Sequence, residues 1–232
     1  MVDKKEQFNG LIKISQSIVS EKYLDEILDL IVVITAEMLN SKICSIMLLD
    51  EKKESLVIRA TQALSENYRK KPNVKVNQSL SGEVLKNKKP LVVYDVRQEE
   101  KYMFSELAKK EGLSSMLIAP MVVKNKAVGI INIYTKTLHK FTKEEIDIIQ
   151  LVANQAAVAI ENTKLMEETI KAKEALEARK VIDRAKGILM EMCNISEDAA
   201  YKLIHKKSMD SAKPMKDIAE AIILTSELKN KK

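Results

Sequence analysis

Apolar residues follow two different spacings along this chain of 232 residues. Spacings of three and four positions predict helices over 5–19 and 21–39, because such residues share one helix face. Short apolar runs separated by polar turns predict two strand hairpins, over 43–61 and 114–135. Between the hairpins, the pattern predicts a helix, a short strand and a second helix over 79–85, 91–95 and 102–111. This order predicts an α+β fold in which helices cover an antiparallel sheet.

One long helix is predicted after the second hairpin. Thr142 and Glu145 form a capping box, in which each side chain accepts a hydrogen bond from a free N–H at the helix start. The helical pattern then continues without a breaker past Leu165 and into Ala185. An apolar seam with small residues in its middle follows the helix at positions 149, 152, 156, 159, 163, 166 and 170. We expect the seam to pack on the sheet at its start and to pair two chains as a homodimer later on.

The composition excludes several classes of protein. Hydrophobic residues make up 46% of the chain, and five Gly and four Pro leave little room for disordered linkers. Apolar runs are shorter than the ~18 residues that cross a bilayer, and the N-terminus lacks the apolar core of a signal peptide. We therefore expect a cytoplasmic protein that makes no membrane contact. Cys44 and Cys193 lie in different segments, so neither a disulfide nor a metal site is predicted, and no cofactor is expected.

Positive charge is concentrated towards the C-terminus. The net charge is +6, and residues 178–232 contain twelve Lys and Arg against eight Asp and Glu. A basic helical tail is typical of nucleic-acid-binding modules. Charge by itself is better explained by a solvated helical surface with a lysine-rich end.

The tail contains a glycine inside a helical pattern. Gly187 lies in the run 181–190 (VIDRAKGILM), where glycine costs about 1 kcal/mol relative to alanine, so a packing or binding reason is expected. Two more helical segments follow, 196–204 (SEDAAYKLI) and 214–223 (PMKDIAEAII). With these stretches, the tail from about 172 to 228 resembles the ANTAR domain. The resemblance implies a bundle of about three short helices that binds RNA hairpins and prevents transcription termination.

The resemblance to the ANTAR domain also implies an RNA-binding surface. Arg184 and Lys186 would neutralise phosphates, and Gly187 would allow close approach. Tyr201 is expected either to stack on a loop base or to be buried in the bundle. The predicted RNA contacts are Arg179, Arg184, Lys186, Gly187, Tyr201, Lys206, Lys207, Lys213 and Lys216. For each of these lysines, simple solvation is the alternative.

The first part of the chain resembles a GAF domain. The residues that carry the resemblance cover most of 20–165 and are found at 80–84 (LSGEV), 89–95 (KPLVVYD), 112–120 (GLSSMLIAP) and 127–133 (AVGIINI). GAF domains are regulatory modules that hold a small ligand between the sheet and the crossing loops. The resemblance places a lid over 95–112. The predicted ligand contacts are Ile46, Arg59, Asp95, Tyr102, Met103, Phe104, Leu107 and Asn132, each of which could instead be ordinary core or surface.

Several ligands and activities of GAF domains lack their usual residues here. The segment 95–112 has no cysteine for a tetrapyrrole, and neither His139 nor His205 is well placed to ligate haem. Reduction of methionine sulfoxide needs paired cysteines, and this part of the sequence offers Cys44, which fits a buried small hydrophobe. No glycine-rich loop supports a cyclic nucleotide, although that ligand stays open. Asp95 ends a strand as in receiver domains, but the two hairpins contradict the βα alternation of that fold.

The sequence predicts a regulator rather than an enzyme. We expect a ligand-sensing domain over 1–165, a coiled-coil linker over 166–178 and an RNA-binding domain over 179–232. A small molecule of unknown identity would control how homodimeric tails hold a tandem-hairpin antiterminator RNA. The alternative is a sensor whose tail binds DNA or a protein. An enzyme is a third hypothesis, but we find no catalytic residues, because no nucleophile–base pair, carboxylate cluster or Walker-type loop is recognisable.

Overall fold

The computed structural model describes residues 4–19, 23–50, 52, 54–63 and 65–229. The predicted start of the second helix at Glu21 and parts of the turn over 50–54 lie outside these residues. The chain divides into two compact units, Met1–Thr163 and Lys164–Lys232. The domain limits predicted from the sequence (1–165, 166–178 and 179–232) stay a prediction.

The first unit contains an antiparallel sheet covered by helices, which confirms the predicted α+β fold. The strands follow the order β3-β2-β1-β6-β5-β4 across the sheet. The strands are β1 (Ile43–Asp50), β2 (Ser55–Thr61), β3 (Val74–Lys75), β4 (Leu91–Val93), β5 (Met116–Val123) and β6 (Lys126–Tyr134). The helices of this unit are α1 (Lys4–Ile18), α2 (Leu24–Met38), α3 (Glu66–Arg69), α4 (Leu80–Asn87), α5 (Ser105–Glu111) and the start of α6 (Lys143–Cys193).

The two faces of the sheet carry two separate hydrophobic cores. Side chains alternate between the faces of a strand, so neighbouring residues enter different cores. On β1, Ile46 packs in the core shared with α1, α2 and α6, whereas Met47 packs in the core shared with α3, α4 and α5. On β6, Ile131 and Ile133 face the first core, and Tyr134 faces the second. The second core lies beneath the crossing loops.

Helix α6 begins at the predicted capping box. The backbone N–H of Glu145 donates to Thr142 Oγ1 (3.2 Å), and the N–H of Thr142 donates to Glu145 Oε2 (2.7 Å). Four early seam residues are buried in the first core, which confirms the predicted packing on the sheet: Ile149, Val152, Ala156 and Ala159. Met166 and Ile170, later in the seam, are exposed. The predicted homodimer seam stays a prediction.

The second unit consists of the end of α6 with α7 (Glu197–Ser211) and α8 (Met215–Lys229). Ser196 caps α7, since its Oγ accepts a hydrogen bond from the N–H of Ala199 (3.3 Å). A small core holds the three helices together: Ala185, Leu189, Ala200, Ile204 and Ala219. Among the described residues, no helix combines the length and the apolar character needed to span a membrane.

Candidate functional site

A cleft opens on the second core of the first unit, beneath the loop that leads into α5. Its free volume is about 20 Å³, which is room for about one water molecule. Residues from β1, β3, β5 and β6 form the floor, the start of α4 forms one wall, and the loop over 101–104 forms another. The lining residues are Met47, Lys71, Val74, Ser79, Leu80, Ser81, Lys101, Tyr102, Met103, Phe104, Met116, Asn132 and Tyr134.

Lys71 is a buried cation in the wall of this cleft. The residue is 9% exposed, and its Nζ lies 4.2 Å from the ring centre of Tyr68 and 5.3 Å from that of Phe104. Both rings offer the attraction of a π face to a cation. Burial lowers the pKa of Lys71 to about 7, because desolvation disfavours the charged form. No ion pair to another residue of the described chain offsets this cost.

A row of buried hydroxyl groups lies beside the cleft. Tyr102 Oη donates to Tyr134 Oη (3.1 Å), and the hydroxyls of Ser45 and Tyr68 are 2.9 Å apart. Burial raises the pKa of Tyr102 to about 12 and that of Tyr134 well above its ordinary value, so both hydroxyls stay protonated at neutral pH. The hydroxyls thus act as neutral hydrogen-bonding groups rather than as bases.

Four of the predicted ligand contacts line the cleft: Tyr102, Met103, Phe104 and Asn132. Leu107 lies elsewhere, packed against the second core. Asp95 is engaged by Arg97, whose Nε donates to Oδ1 (2.7 Å) and whose guanidinium lowers the pKa of the carboxyl group. Neither Leu107 nor Asp95 contributes to the cleft wall.

Ile46 and Arg59 are placed away from the cleft, which corrects their assignment to the floor. Ile46 packs in the core on the other face of the sheet, and the adjacent Met47 takes its place. Arg59 lies where the pairing of β1 and β2 shifts register, since Ile46 pairs with Ala60 and Met47 with Ile58. Such a bulge re-aims the extra residue. The Arg59 guanidinium instead binds Asp25 on α2 at 2.8 Å.

Lys71 and the residues at the start of α4 line the cleft, but the sequence did not predict them as ligand contacts. Lys71 lies in the sequence Lys70-Lys71-Pro72, which is typical of an exposed turn. Nothing in the local pattern marks its burial, because the rings that enclose it come from α3 and from the loop before α5. The Ser79 cap of α4 was a recognisable signal, since its Oγ accepts from the N–H of Gly82 (3.1 Å).

In the second unit, two of the predicted RNA contacts, Arg184 and Lys186, form ion pairs with other helices of the bundle. Lys186 Nζ lies 2.7 Å from both Asp183 Oδ1 and Glu197 Oε1, and its side chain is 14% exposed. These hydrogen bonds raise the pKa of Lys186, with Asp183 as the main cause. Lys186 therefore ties α6 to the start of α7, which corrects its prediction as a freely exposed cation. Arg184 binds Glu227 at 2.8 Å but stays 62% exposed.

The remaining predicted RNA contacts are exposed. Arg179 and Lys216 lie at 3.9 Å and 3.8 Å from single carboxylates of their own helices. The side chains of Lys206, Lys207 and Lys213 are exposed and form no ion pair with the described residues. Tyr201 is 45% exposed and its ring stacks on that of His205, so it is not buried in the bundle.

Gly187 faces open space. A Cβ built at this position would meet no atom within 4 Å outside the local helix backbone. Packing inside the unit therefore does not explain why a helix carries glycine here, although glycine costs about 1 kcal/mol relative to alanine. A partner that approaches the helix backbone would explain it.

The first unit offers little that resembles a catalytic centre. Cys44 is fully buried in the first core, and burial raises the pKa of its thiol, which disfavours the reactive thiolate. In the part of the chain that the structure describes, no group of three or more His, Cys, Asp or Glu could hold a metal ion. His139 instead pairs with Glu145 at 3.0 Å.

Comparison with known proteins identifies both units. The GAF domain family matches residues 21–161, which is more than half of the chain. The chain belongs to the GAF domain family. The ANTAR domain family matches residues 171–223. Both resemblances found in the sequence are thus confirmed, and the cleft lies in the GAF domain while Gly187 lies in the ANTAR domain.

Two curated relatives each match part of this chain. A methyl sulfide methyltransferase-associated sensor of Methanosarcina acetivorans is 29% identical over 160 residues, which cover 66% of this chain and 16% of that protein. The transcriptional regulatory protein PdtaR of Mycobacterium tuberculosis is 34% identical over 79 residues, which cover 34% of this chain and 38% of that protein. The chain thus spans well under half of the length of these curated relatives.

A solved structure supports the fold of the GAF domain. The GAF domain of a phosphoenolpyruvate-protein phosphotransferase from Coxiella burnetii aligns with a TM-score of 0.64 and 24% identity. The alignment covers 71% of this chain and 98% of the other. At this identity, the similarity shows the shared fold.

Proposed function

We propose that this GAF–ANTAR protein is a ligand-responsive regulator that prevents transcription termination by binding RNA hairpins. The observation that carries the proposal is Gly187, which leaves the backbone of α6 open to a partner in the middle of the ANTAR match. The match to the transcriptional regulatory protein PdtaR supports a role in transcription. Such a protein would work in the cytoplasm, where transcripts are made.

Electrostatics favour a nucleic acid as that partner. Lys206, Lys207 and Lys213 are exposed cations without carboxylate partners among the described residues, so they are available to phosphates. Arg184 keeps most of its surface exposed and forms an ion pair with Glu227. An exposed ion pair contributes little to stability, so a phosphate can replace Glu227 at little cost. Tyr201 presents an exposed ring, and exposed rings stack on unpaired bases of RNA loops.

The GAF domain would act as the sensor of this regulator. Helix α6 runs without interruption from the GAF domain into the ANTAR domain. The exposed Met166 and Ile170 would form the seam of a homodimer, and two ANTAR domains would then bind two tandem hairpins. A small molecule that binds one state of the dimer better than the other would shift the equilibrium between them.

The parent protein is expected to enrich hairpin RNA over DNA. The measurement is binding to a library of tandem-hairpin RNAs with randomised loops, in competition with duplex DNA of equal length at near-physiological salt. Replacing both Lys206 and Lys207 by alanine is expected to weaken RNA binding about 10-fold and to lower the salt dependence by about two charges. The matched control is Lys110→Ala with Lys164→Ala, which removes the same charge outside the ANTAR match and is expected to bind like the parent.

Equal binding of RNA and DNA would contradict the proposal and favour the alternative sensor with a DNA-binding tail. An absence of binding to either would favour a protein partner for the ANTAR domain. If the control loses as much affinity as the Lys206 and Lys207 variant, net charge rather than an RNA-binding surface governs the interaction. Lys186→Ala is a poor test, because it removes the contact between α6 and α7 as well as a cation.

Gly187→Ala is expected to raise the stability of the ANTAR domain and, at the same time, to weaken its binding of RNA. The added methyl group meets open space, so the higher helix propensity of alanine should stabilise the ANTAR domain by about 0.5 to 1 kcal/mol. The same methyl group should weaken RNA binding about 10-fold, because it blocks close approach of the partner. Unfolding in urea and RNA affinity are measured on the same preparation. A variant that gains stability and keeps full RNA affinity would show that Gly187 is not at the interface.

A further inference from the structure

The cleft of the GAF domain holds a buried lysine that forms no ion pair with the described residues. Lys71 is 9% exposed, and the groups nearest to its Nζ are the rings of Tyr68 and Phe104. Lysine is seldom buried unless an anion accompanies it, since the loss of hydration is costly. In the described chain, Lys71 has no such anion. A ligand that brings a negative charge would supply it.

A second group in the cleft also lacks its partner. Asn132 is 2% exposed and lines the cleft, and its Oδ1 accepts no hydrogen bond from the described residues. Buried polar atoms are nearly always paired in folded proteins, so an unpaired one requires an explanation. The neighbouring hydroxyls of Tyr102 and Tyr134 bind each other and leave Oδ1 free. A ligand with an N–H or O–H donor would satisfy it.

The start of α4 adds a third contribution to the same cleft. Leu80 and Ser81, in the first turn of this eight-residue helix, line the cleft. The first N–H groups of a helix have no acceptor within the helix, and the N-terminus carries a partial positive charge. The Ser79 hydroxyl accepts from the N–H of Gly82 (3.1 Å) and the Ser79 carbonyl accepts from the N–H of Glu83 (3.1 Å), so the N–H groups of Leu80 and Ser81 remain for a ligand. Lys71 and this helix start both favour an anion.

The rest of the wall is apolar. Met47, Val74, Met116 and Phe104 line the cleft between these polar groups. A hydrated inorganic anion gains nothing from these apolar side chains, whereas the body of an organic anion would pack against them. The walls thus favour an anion that carries a hydrocarbon body.

We propose that the GAF cleft binds a small organic carboxylate. Its carboxylate lies against the Lys71 ammonium and the start of α4, its apolar body lies between Met47, Met116 and Phe104, and a hydroxyl or amine donates to Asn132 Oδ1. This assignment rests on the proposed role of the GAF domain as a sensor and specifies the ligand of that sensor. Phe104 and Tyr102 belong to the loop that covers the cleft, and this loop moves outward to admit the ligand, because the free volume beneath it is about 20 Å³.

The test is a thermal-shift screen of the full chain with amino acids, hydroxy acids and hydroxybenzoates, each paired with its primary amide. At least one acid is expected to raise the melting temperature by about 3 °C or more at millimolar concentration, while its amide has no effect. Lys71→Met is expected to abolish this shift. The matched control is Lys70→Met, the same change at the adjacent exposed residue, which is expected to keep it.

Sodium nitrate and sodium phosphate are included to test for an inorganic ligand. The proposal is overturned if these salts produce the shift and no organic acid does, if amides match their acids, if Lys71→Met keeps the full shift, or if no acid in the screen produces one. If neutral amides raise the melting temperature and still do so in Lys71→Met, the ligand is not a carboxylate, but the GAF domain still binds a small molecule as a sensor would. RNA binding by the protein without added ligand is measured separately, so a failure of the ANTAR function is distinguishable from a failure of this assignment.

Discussion

Gly82→Ala is expected to unfold the GAF domain or to destabilise it by at least about 3 kcal/mol. A Cβ at this position would overlap the carbonyl group of Val76, with its carbon atom 2.6 Å away and its Cα 3.0 Å away. These are backbone atoms of the segment before α4, so no side-chain rotation can relieve the overlap. Glycine is required here because the first turn of α4 packs directly against that backbone.

Urea unfolding followed by circular dichroism measures this effect. Gly187→Ala is the matched control, since the same methyl group meets no atom within 4 Å there and should raise stability slightly. A loss of less than about 1 kcal/mol for Gly82→Ala would mean that α4 can move away from Val76 at little cost. The contact with the Val76 backbone would then not explain why position 82 is a glycine.

Lys71→Met is expected to stabilise the protein without ligand and to remove a pH dependence of its stability. The pKa of Lys71 is lowered to about 7 in the folded chain from 10.5 when solvated. Between these values the unfolded chain binds more protons, so the free energy of unfolding rises with pH. Below pH 7 both states are protonated, and the buried charge costs up to about 5 kcal/mol. Between pH 6 and pH 9 we expect the parent to gain about 2 to 3 kcal/mol from this group.

Denaturant unfolding at several pH values tests this expectation. The quantity of interest is the difference between the parent and Lys71→Met, because titration elsewhere then cancels. Tyr68 and Phe104 face the ammonium, and burial raises the pKa of Tyr68, so that neighbour stays neutral over this range. Lys70→Met should follow the pH dependence of the parent. Equal slopes for the parent and Lys71→Met would mean that Lys71 keeps its charge in the folded chain.

The order of elements in the GAF domain was predictable because each element has a local signal. Short apolar runs marked β1 and β6, and the capping box at Thr142 marked the start of α6. The short elements α3 and β3 were missed, since four and two residues carry too little periodicity. The predicted helix over 102–111 begins at Ser105, because the preceding residues form the loop over the cleft.

The candidate sites were predictable in part. The loop contacts Tyr102, Met103 and Phe104 followed from the order of motifs in a GAF domain and lie in the cleft. The error at Ile46 is a shift of one residue, and in a strand one residue decides which face a side chain occupies. A bulge at Arg59, which no local pattern marked, turned a second predicted contact towards α2.

The sequence by itself determined the two domains, their order, the continuous helix between them and the glycine in the ANTAR motif. These features follow from the spacing of neighbouring residues and from motifs a few residues long. Tertiary structure decided which charges are free. Lys71 is enclosed by Phe104, Lys186 is bound by Glu197 in addition to Asp183 of its own helix, and Arg184 pairs with Glu227 but stays exposed. The charge and accessibility of a side chain depend on such partners, and only folding brings them together.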